Sequence, residues 1–499
     1  MKDWLRKLWS RLGNNDKWNE KFDAACRRFQ QGSFEEAEQF FNEALAELTQ
    51  GKTNEQRKFS TLVCLGACYR AQEQLELAEA SLREALELRG DQRKLKNTAQ
   101  LDDTAFAHKE LASCLYESGK TEEIDDLLVK SIHLYERAGK DNQQEIGECL
   151  LIRSRSLILR CGFAEAEPLL ERSLKIFEHQ ADEKIFELAD TLTCQAIVWN
   201  RMMNFAKAEA NLIRVMPLHE KLAGVESMEV ARCKTELAAS LLAQSRYDEA
   251  EKIFNESIRI MRKIGAHTGI DFADTLAGLA TCQRSQRRMD SAISFYRQAL
   301  GIYEGCYAED HDDIATMLTQ LAVCHSEQEQ FKEAEDYFTR SLGITEKLLG
   351  EEHTAVADTL FNLANCYSYQ RRYEAAVPLY KRSLRIAEQT NGAEHPEFAT
   401  KLTGLAYCYQ LQQRYNDAKP LYSQALEICQ KDPESREEEL SDNLLGLANC
   451  HLETGDYEAA RPLYEQALHF KQNKFDPKDQ ELATRIETLL KKMQQHTAV

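Results

Sequence analysis

Apolar and polar residues follow one another along this chain with the period of an amphipathic helix, and the helices come in pairs. The stretch from Asp358 to Gln389, DTLFNLANCYSYQRRYEAAVPLYKRSLRIAEQ, shows the unit most plainly. Leu360, Leu363, Ala364 and Tyr367 fall on one face of a first helix. A polar turn at Gln370, Arg371 and Arg372 follows, and Tyr373 opens a second stripe through Ala376, Leu379, Tyr380, Ser383 and Leu384. Neither helix can bury its stripe alone, so the pattern predicts a helical hairpin packed against neighbours.

The same pattern returns at fixed distance. The residue that opens the second helix sits at Phe163, Phe205, Tyr247, Met289, Phe331, Tyr373, Tyr415 and Tyr457, in steps of 42 residues, and alanine follows three positions later each time, from Ala166 to Ala460. Upstream, Thr121, Leu75 and Phe34 continue the series with spacings of 42, 46 and 41 residues. Eleven repeats of this kind predict a solenoid, in which each helix pair covers the apolar face of the next.

The residue types resemble the tetratricopeptide repeat, with small residues such as Ala364, Ala406 and Ala448 where helices approach and Tyr380, Tyr422 and Tyr464 between repeats. Each repeat is longer than the usual tetratricopeptide unit of about 34 residues. The added residues lie at the end of the second helix and in its loop, as in KLLGEEHTAVA and EQTNGAEHPEFA. Together with NLANCYSYQRRYEAAVPLYKRSL, these segments resemble the long repeats of the kinesin light chain, closely over residues 227–470 and more loosely before. The resemblance implies an all-α fold: a right-handed superhelix of about eleven helix pairs with a C-terminal capping helix. It also implies protein partners, held as an extended peptide or helix in the concave groove. In that family, asparagines at the position matched by Asn362 contact peptide ligands.

Composition narrows the function. A net charge of −19 argues against a nucleic-acid footprint, which needs clustered Lys and Arg. The acidity reads either as solvated helix faces or as a surface that steers basic partners. Eight prolines and 21 glycines form no linker, so one elongated domain is expected over residues 18–478. Of 15 cysteines, seven share one column (Cys68, Cys114, Cys282, Cys324, Cys366, Cys408 and Cys450), which Ser156, Val198 and Ser240 fill elsewhere. Such a column is a small packing site, and stacked repeats about 10 Å apart hold their cysteines beyond disulfide reach. Reduced thiols imply a cytoplasmic protein. No run of apolar residues suits a transmembrane helix, and the first residues lack a secretory signal.

Residues 1–17, MKDWLRKLWSRLGNNDK, differ from the repeats. Trp4, Leu5, Leu8, Trp9 and Leu12 share one arc of a short helix, with Lys2, Arg6, Lys7 and Arg11 outside it. This basic amphipathic helix reads either as a cap folded over the apolar end of the first repeat or as a peripheral membrane anchor. At the other end, residues 479–499 predict a capping helix and tail, with Leu482, Ile486, Leu489 and Leu490 on one face. In repeats four and five, Arg153 and Gln195 stand where other repeats have Leu, which predicts a bend, or else a binding spot, because an unpaired buried charge is costly.

Neither a P-loop, a dinucleotide fingerprint nor HExxH is present, so no enzyme, cofactor or metal site is expected. His311, His353 and His395 recur one per repeat, too far apart for one metal ion, and read as helix-start residues. Arg246, Arg288, Arg372 and Arg414 precede the second helices and complement the dipole of the helix before them. Projected onto the groove, the repeat places Gln320, Asn362, Asn365, Tyr369, Tyr407 and Asn449 as candidate peptide-binding residues. Amide side chains both donate and accept, so they can pair with a peptide backbone, and the tyrosines add flat contact area. Gly278, Gly404 and Gly446 replace Asn362 in other repeats. The expected function is a non-catalytic interaction scaffold or adaptor. The alternative is a regulatory subunit that docks on one enzyme, held at a membrane by residues 1–17.

Overall fold

The computed structural model describes residues 17–49, 55–90, 95, 97–139, 142–179, 183–307, 310–431 and 436–472, together with Thr484 and Thr488. Residues 1–16 of the expected N-terminal helix, and nearly all of the expected capping helix at 479–499, lie outside this set. Among the described residues the protein is all-helical, with 22 helices and no strand. They divide into two compact units, one ending at Ile264 and one beginning at Gly265.

The first unit holds six antiparallel pairs: α1 (Lys17–Gln30) with α2 (Phe34–Thr49), α3 (Glu55–Ala71) with α4 (Leu75–Glu87), and α5 (Thr98–Glu117) with α6 (Ile124–Ala138). It continues with α7 (Gln143–Leu159) and α8 (Phe163–Glu178), α9 (Ile185–Arg201) and α10 (Phe205–Ala223), and α11 (Met228–Ala243) and α12 (Tyr247–Lys263). The second unit holds five pairs: α13 (Ile270–Ser285) and α14 (Met289–Cys306), α15 (Asp312–Glu327) and α16 (Phe331–Leu349), and α17 (Thr354–Tyr369) and α18 (Tyr373–Asn391). Its last two are α19 (Pro396–Leu411) with α20 (Tyr415–Cys429) and α21 (Glu437–Glu453) with α22 (Tyr457–Gln472). Within each unit every helix packs on its hairpin partner and on the pair before or after it, as the repeat predicts.

The turn inside each pair explains why the hairpin recurs so strictly. After Tyr369 the chain places Arg371 at φ 60°, and the amide of Arg372 returns to the carbonyl of Tyr367 at 2.9 Å. That bond closes the first helix, and the second starts at the next residue, Tyr373. Glycine fills the left-handed position at Gly32, Gly119 and Gly455, but Glu73, Cys161, Met203, Ser245, Arg287, Glu329 and Gln413 adopt it too. Each non-glycine residue there costs about 1 kcal/mol, which the packing on both sides offsets. Three consecutive first helices, α15, α17 and α19, start on histidine side-chain caps. The imidazole Nδ1 of His311, His353 and His395 accepts from the amides of Asp313, Ala355 and Glu397 at 3.2, 3.2 and 3.3 Å.

Between pairs, the small-residue columns carry directed bonds as well as close packing. The thiols of Cys68, Cys114 and Cys366 donate to the carbonyls of Phe34, Leu75 and Phe331 at 3.1–3.2 Å, and Ser240 reaches Phe205 at 3.0 Å in the same way. Each tethers a first helix to the opening residue of the preceding second helix. A second column works within the hairpin, where Ser131, Ser173, Ser257, Ser341 and Ser383 donate to the carbonyls of Ala105, Gly147, Ala231, Ala315 and Ala357 at 2.6–3.0 Å. All 15 cysteines are free thiols.

In the irregular repeats the two polar residues at leucine positions each have a side-chain partner. Gln195 is buried, and its carbonyl oxygen accepts from the side chain of Asn211 at 2.8 Å. Arg153 forms a two-pronged pair with Asp125, the longer contact measuring 3.2 Å. Each polar intruder therefore carries its own partner, which removes the desolvation penalty that a lone group would incur. The arginine column also does more than complement a dipole: Arg246 reaches Glu209 and Arg372 reaches Glu335, each on the preceding second helix, at 2.9 and 2.6 Å.

Candidate functional site

In the second unit the first helices α17, α19 and α21 lie side by side, and a cleft of about 440 Å³ opens on them. Phe361 and Tyr422 supply its aromatic walls, Thr400, Thr403 and Tyr407 come from α19, and Glu439, Asp442, Asn443 and Asn449 come from α21. Two glycines create the space. A Cβ on Gly446 would stand 2.4 Å from the Tyr422 ring, and one on Gly404 would stand 2.4 Å from Phe361. The rings can lie against bare backbone only because both positions lack a side chain.

The polar rim is internally fixed. Tyr422 is buried and donates to Gln410 Oε1 at 2.9 Å. Thr403 donates to Asn443 Oδ1 at 2.7 Å, joining α19 to α21, while Asn443 Nδ2 donates back to the Glu439 carbonyl at 2.9 Å. Asn449 Oδ1 accepts from the Tyr464 hydroxyl at 2.5 Å, and two repeats earlier Asn365 Oδ1 accepts from Tyr380 in the same geometry. An asparagine held by its oxygen turns its amide nitrogen, a double donor, the other way. Burial, with the neighbouring Cys450 thiol, Tyr407 and Asp442 adding to it, pushes the Tyr422 phenol well up, so it stays a neutral donor. The Glu439 carboxylate pairs with Arg436 at 2.6 Å, whereas Asp442 is exposed at the rim.

Of the six residues singled out from the sequence, Tyr407 and Asn449 line this cleft. Asn365 is half-buried and bound to Tyr380, and Asn362 is half-buried beside Phe361. Tyr369 is 59% exposed and stacks on Phe331 of the preceding pair at 5.8 Å. Gln320 lies on α15, outside the cleft lining. The lining residues that sequence reasoning missed include Phe361, Thr403, Gln410, Tyr422 and Asn443. Their signal was present in Gly404 and Gly446, which depart from the asparagine pattern where the aromatic walls need room.

A sequence model of the tetratricopeptide repeat matches residues 187–263, 271–347, 313–389 and 397–473, and a second one matches residues 61–92. The chain belongs to the tetratricopeptide repeat family. The putative kinesin light chain nearly identical TPR-like repeats of Podosopora anserina share 21% identity at a TM-score of 0.38, over 42% of this chain and 99% of that one. No curated protein matches this tetratricopeptide repeat protein. Among solved structures, apo RapI is similar at 14% identity and a TM-score of 0.53, over 77% of this chain and 99% of that one. The apo quorum sensor NprR from B. thuringiensis is similar at 12% identity and a TM-score of 0.53, over 73% of this chain and 97% of that one. BtubC (BKLC) from P. vanneervenii shares 21% identity at a TM-score of 0.41, over 46% of this chain and 94% of that one. These likenesses concern the fold. No helix among the described residues is long and apolar enough to cross a membrane, and no group of three or more potential metal ligands gathers among them.

Proposed function

We propose that this protein is a non-catalytic, cytoplasmic interaction scaffold that holds a segment of a partner protein, extended or helical, against the first helices of its second unit. The observation that supports this reading most is the cleft over Gly404 and Gly446, an aromatic-walled space rimmed by fixed amides and hydroxyls. An apolar side chain of the partner fits between Phe361, Tyr407 and Tyr422, and the amide nitrogen of Asn449 is placed to meet a backbone carbonyl. Because the rim is already hydrogen-bonded, little ordering entropy is lost on binding. Asn362, Asn365 and Tyr369 extend the same face toward α17, and Gln320 extends it to α15.

The test is a peptide selection on the purified protein, followed by affinity measurement on a Tyr407→Ala variant. Tyr407 is 42% exposed, so its truncation leaves the fold largely intact while removing contact area. Affinity for selected peptides should fall by about tenfold, equivalent to about 1.4 kcal/mol. Peptides bound equally by both proteins, with equal unfolding curves, would exclude the cleft as the site.

A further inference from the structure

The helices under the cleft carry charge of one sign. In the 49 residues of α17, α19 and α21, seven are Asp or Glu, and Lys401 is the one Lys or Arg. That excess of six carboxylates is about three times the density set by a net −19 over 499 residues, so it exceeds the general acidity of the chain. Lys401 does little to offset it at the surface, being 4% exposed with its Nζ donating to Asp358 at 2.6 Å. Arg436, at the start of α21, pairs with Glu439 at 2.6 Å. Among the described residues, none of those lining the cleft is basic.

The carboxylates also stand where a held segment would meet them. Asp442, Gly446, Asn449 and Glu453 are spaced by four, three and four residues, which is one face of α21. Asp442 and Glu453 are both exposed. At about 1.5 Å per residue they lie about 6 and 10 Å along the helix from Gly446, one to either side. In the 42-residue register, the positions of Asn449 and Glu453 are filled on α17 and α19 by Tyr407, Tyr369 and Leu411, which are 42%, 59% and 37% exposed. These are the exposed large apolar side chains of the three helices. Open apolar area set among open carboxylates suits a ligand that brings both apolar and cationic groups, and the tyrosine faces attract cations in their own right.

We propose that the segment held at this cleft is a basic one: a single large apolar side chain enters between Phe361, Tyr407 and Tyr422, and Lys or Arg within three positions on either side meets Asp442 and Glu453. Three residues of extended chain span about 10 Å, which matches the distance from Gly446 to the farther carboxylate. The proposal rests on the cleft being the binding site proposed above and adds the sign of the partner. An acidic segment would bring like charge to exposed carboxylates, so the site rejects it as well as favouring a basic one.

The test is a selection on the purified full chain from short synthetic peptides, with Trp, Phe or Leu at the centre and an equal mixture of Lys, Arg, Asp, Glu, Ser and Ala at the flanking positions. Lys and Arg should outnumber Asp and Glu about threefold or more among the retained peptides. Asp442→Asn with Glu453→Gln should weaken their binding about five- to tenfold, while Glu374→Gln, an exposed carboxylate on α18 outside the cleft lining, should weaken it less than about twofold. Independently of any variant, affinity should fall about tenfold between about 0.05 and 0.5 M salt, and affinity that does not change overturns the proposal. Retained peptides with no charge bias, or an acidic one, that still lose affinity on Tyr407→Ala overturn the basic segment and leave the cleft standing. Basic peptides that the Tyr407→Ala protein binds equally overturn both readings, as does a library from which nothing is retained. Equal weakening by Glu374→Gln and the double variant overturns the placement of the charges.

Discussion

Replacing Gly446 by alanine tests whether the cleft exists because two aromatic rings need bare backbone. Gly446 lies inside α21, where alanine in place of glycine ordinarily stabilises a helix by about 1 kcal/mol. Here the new Cβ would stand 2.4, 2.5 and 2.9 Å from three atoms of the Tyr422 ring, at least half an ångström inside ordinary contact. The ring is 2% exposed and its hydroxyl is tied to Gln410, so it cannot swing away cheaply. Overpacking of this kind costs about 1–3 kcal/mol, and losing the hydroxyl bond adds about 1. Set against the propensity gain, Gly446→Ala should destabilise the protein by about 1–3 kcal/mol. Gly343→Ala is the control: it also sits mid-helix, in α16, but is exposed with no heavy atom within 4 Å of its would-be Cβ, and should stabilise by about 1 kcal/mol. The assay is urea unfolding read by circular dichroism, with hydrogen exchange of α21 to localise the change, because repeat arrays need not unfold in one step. If both substitutions stabilise equally, the close approach of Tyr422 to α21 is refuted, and with it the origin of the cleft.

Two further outcomes follow from the buried groups. Burial alone would raise the Glu148 carboxyl, but Lys109 at 2.6 Å, Gln144 and Lys184 together outweigh it and hold the group at about 2, below its ordinary 4.5. A carboxylate depressed on folding contributes stability above its unfolded value and loses it as pH falls. The loss should therefore run from about pH 4.5 to pH 2 and amount to about 3 kcal/mol, and Glu148→Gln should flatten the unfolding free energy over that window. Among the thiols, only Cys161 and Cys306 are exposed, while burial pushes Cys114, Cys324 and Cys450 up to about 11 and Cys149 to about 12. Ellman's reagent should titrate two thiols rapidly in the native protein and the other 13 only after denaturation; rapid reaction of four or more would contradict the buried column.

The helix pairs, their number and the residues that open them are set by the sequence alone, because a 42-residue apolar period leaves each hairpin one way to hide both stripes. The histidine caps were equally legible, since capping depends on residues two positions apart. The pairing of half-buried Arg153 and buried Gln195 was not: their partners Asp125 and Asn211 lie 28 and 16 residues away, and pairing at that distance leaves no periodic trace. The cysteine column could be read as small and buried, yet its bonds to the carbonyls of Phe34, Leu75 and Phe331 depend on how one pair seats on the last. The cleft shows the same division. Polar and aromatic residues along the first helices follow from the repeat register, whereas their gathering around Gly404 and Gly446 was decided by tertiary structure. Whether a ring from one helix fits against the bare backbone of another depends on distances of a few tenths of an ångström, which no local pattern encodes.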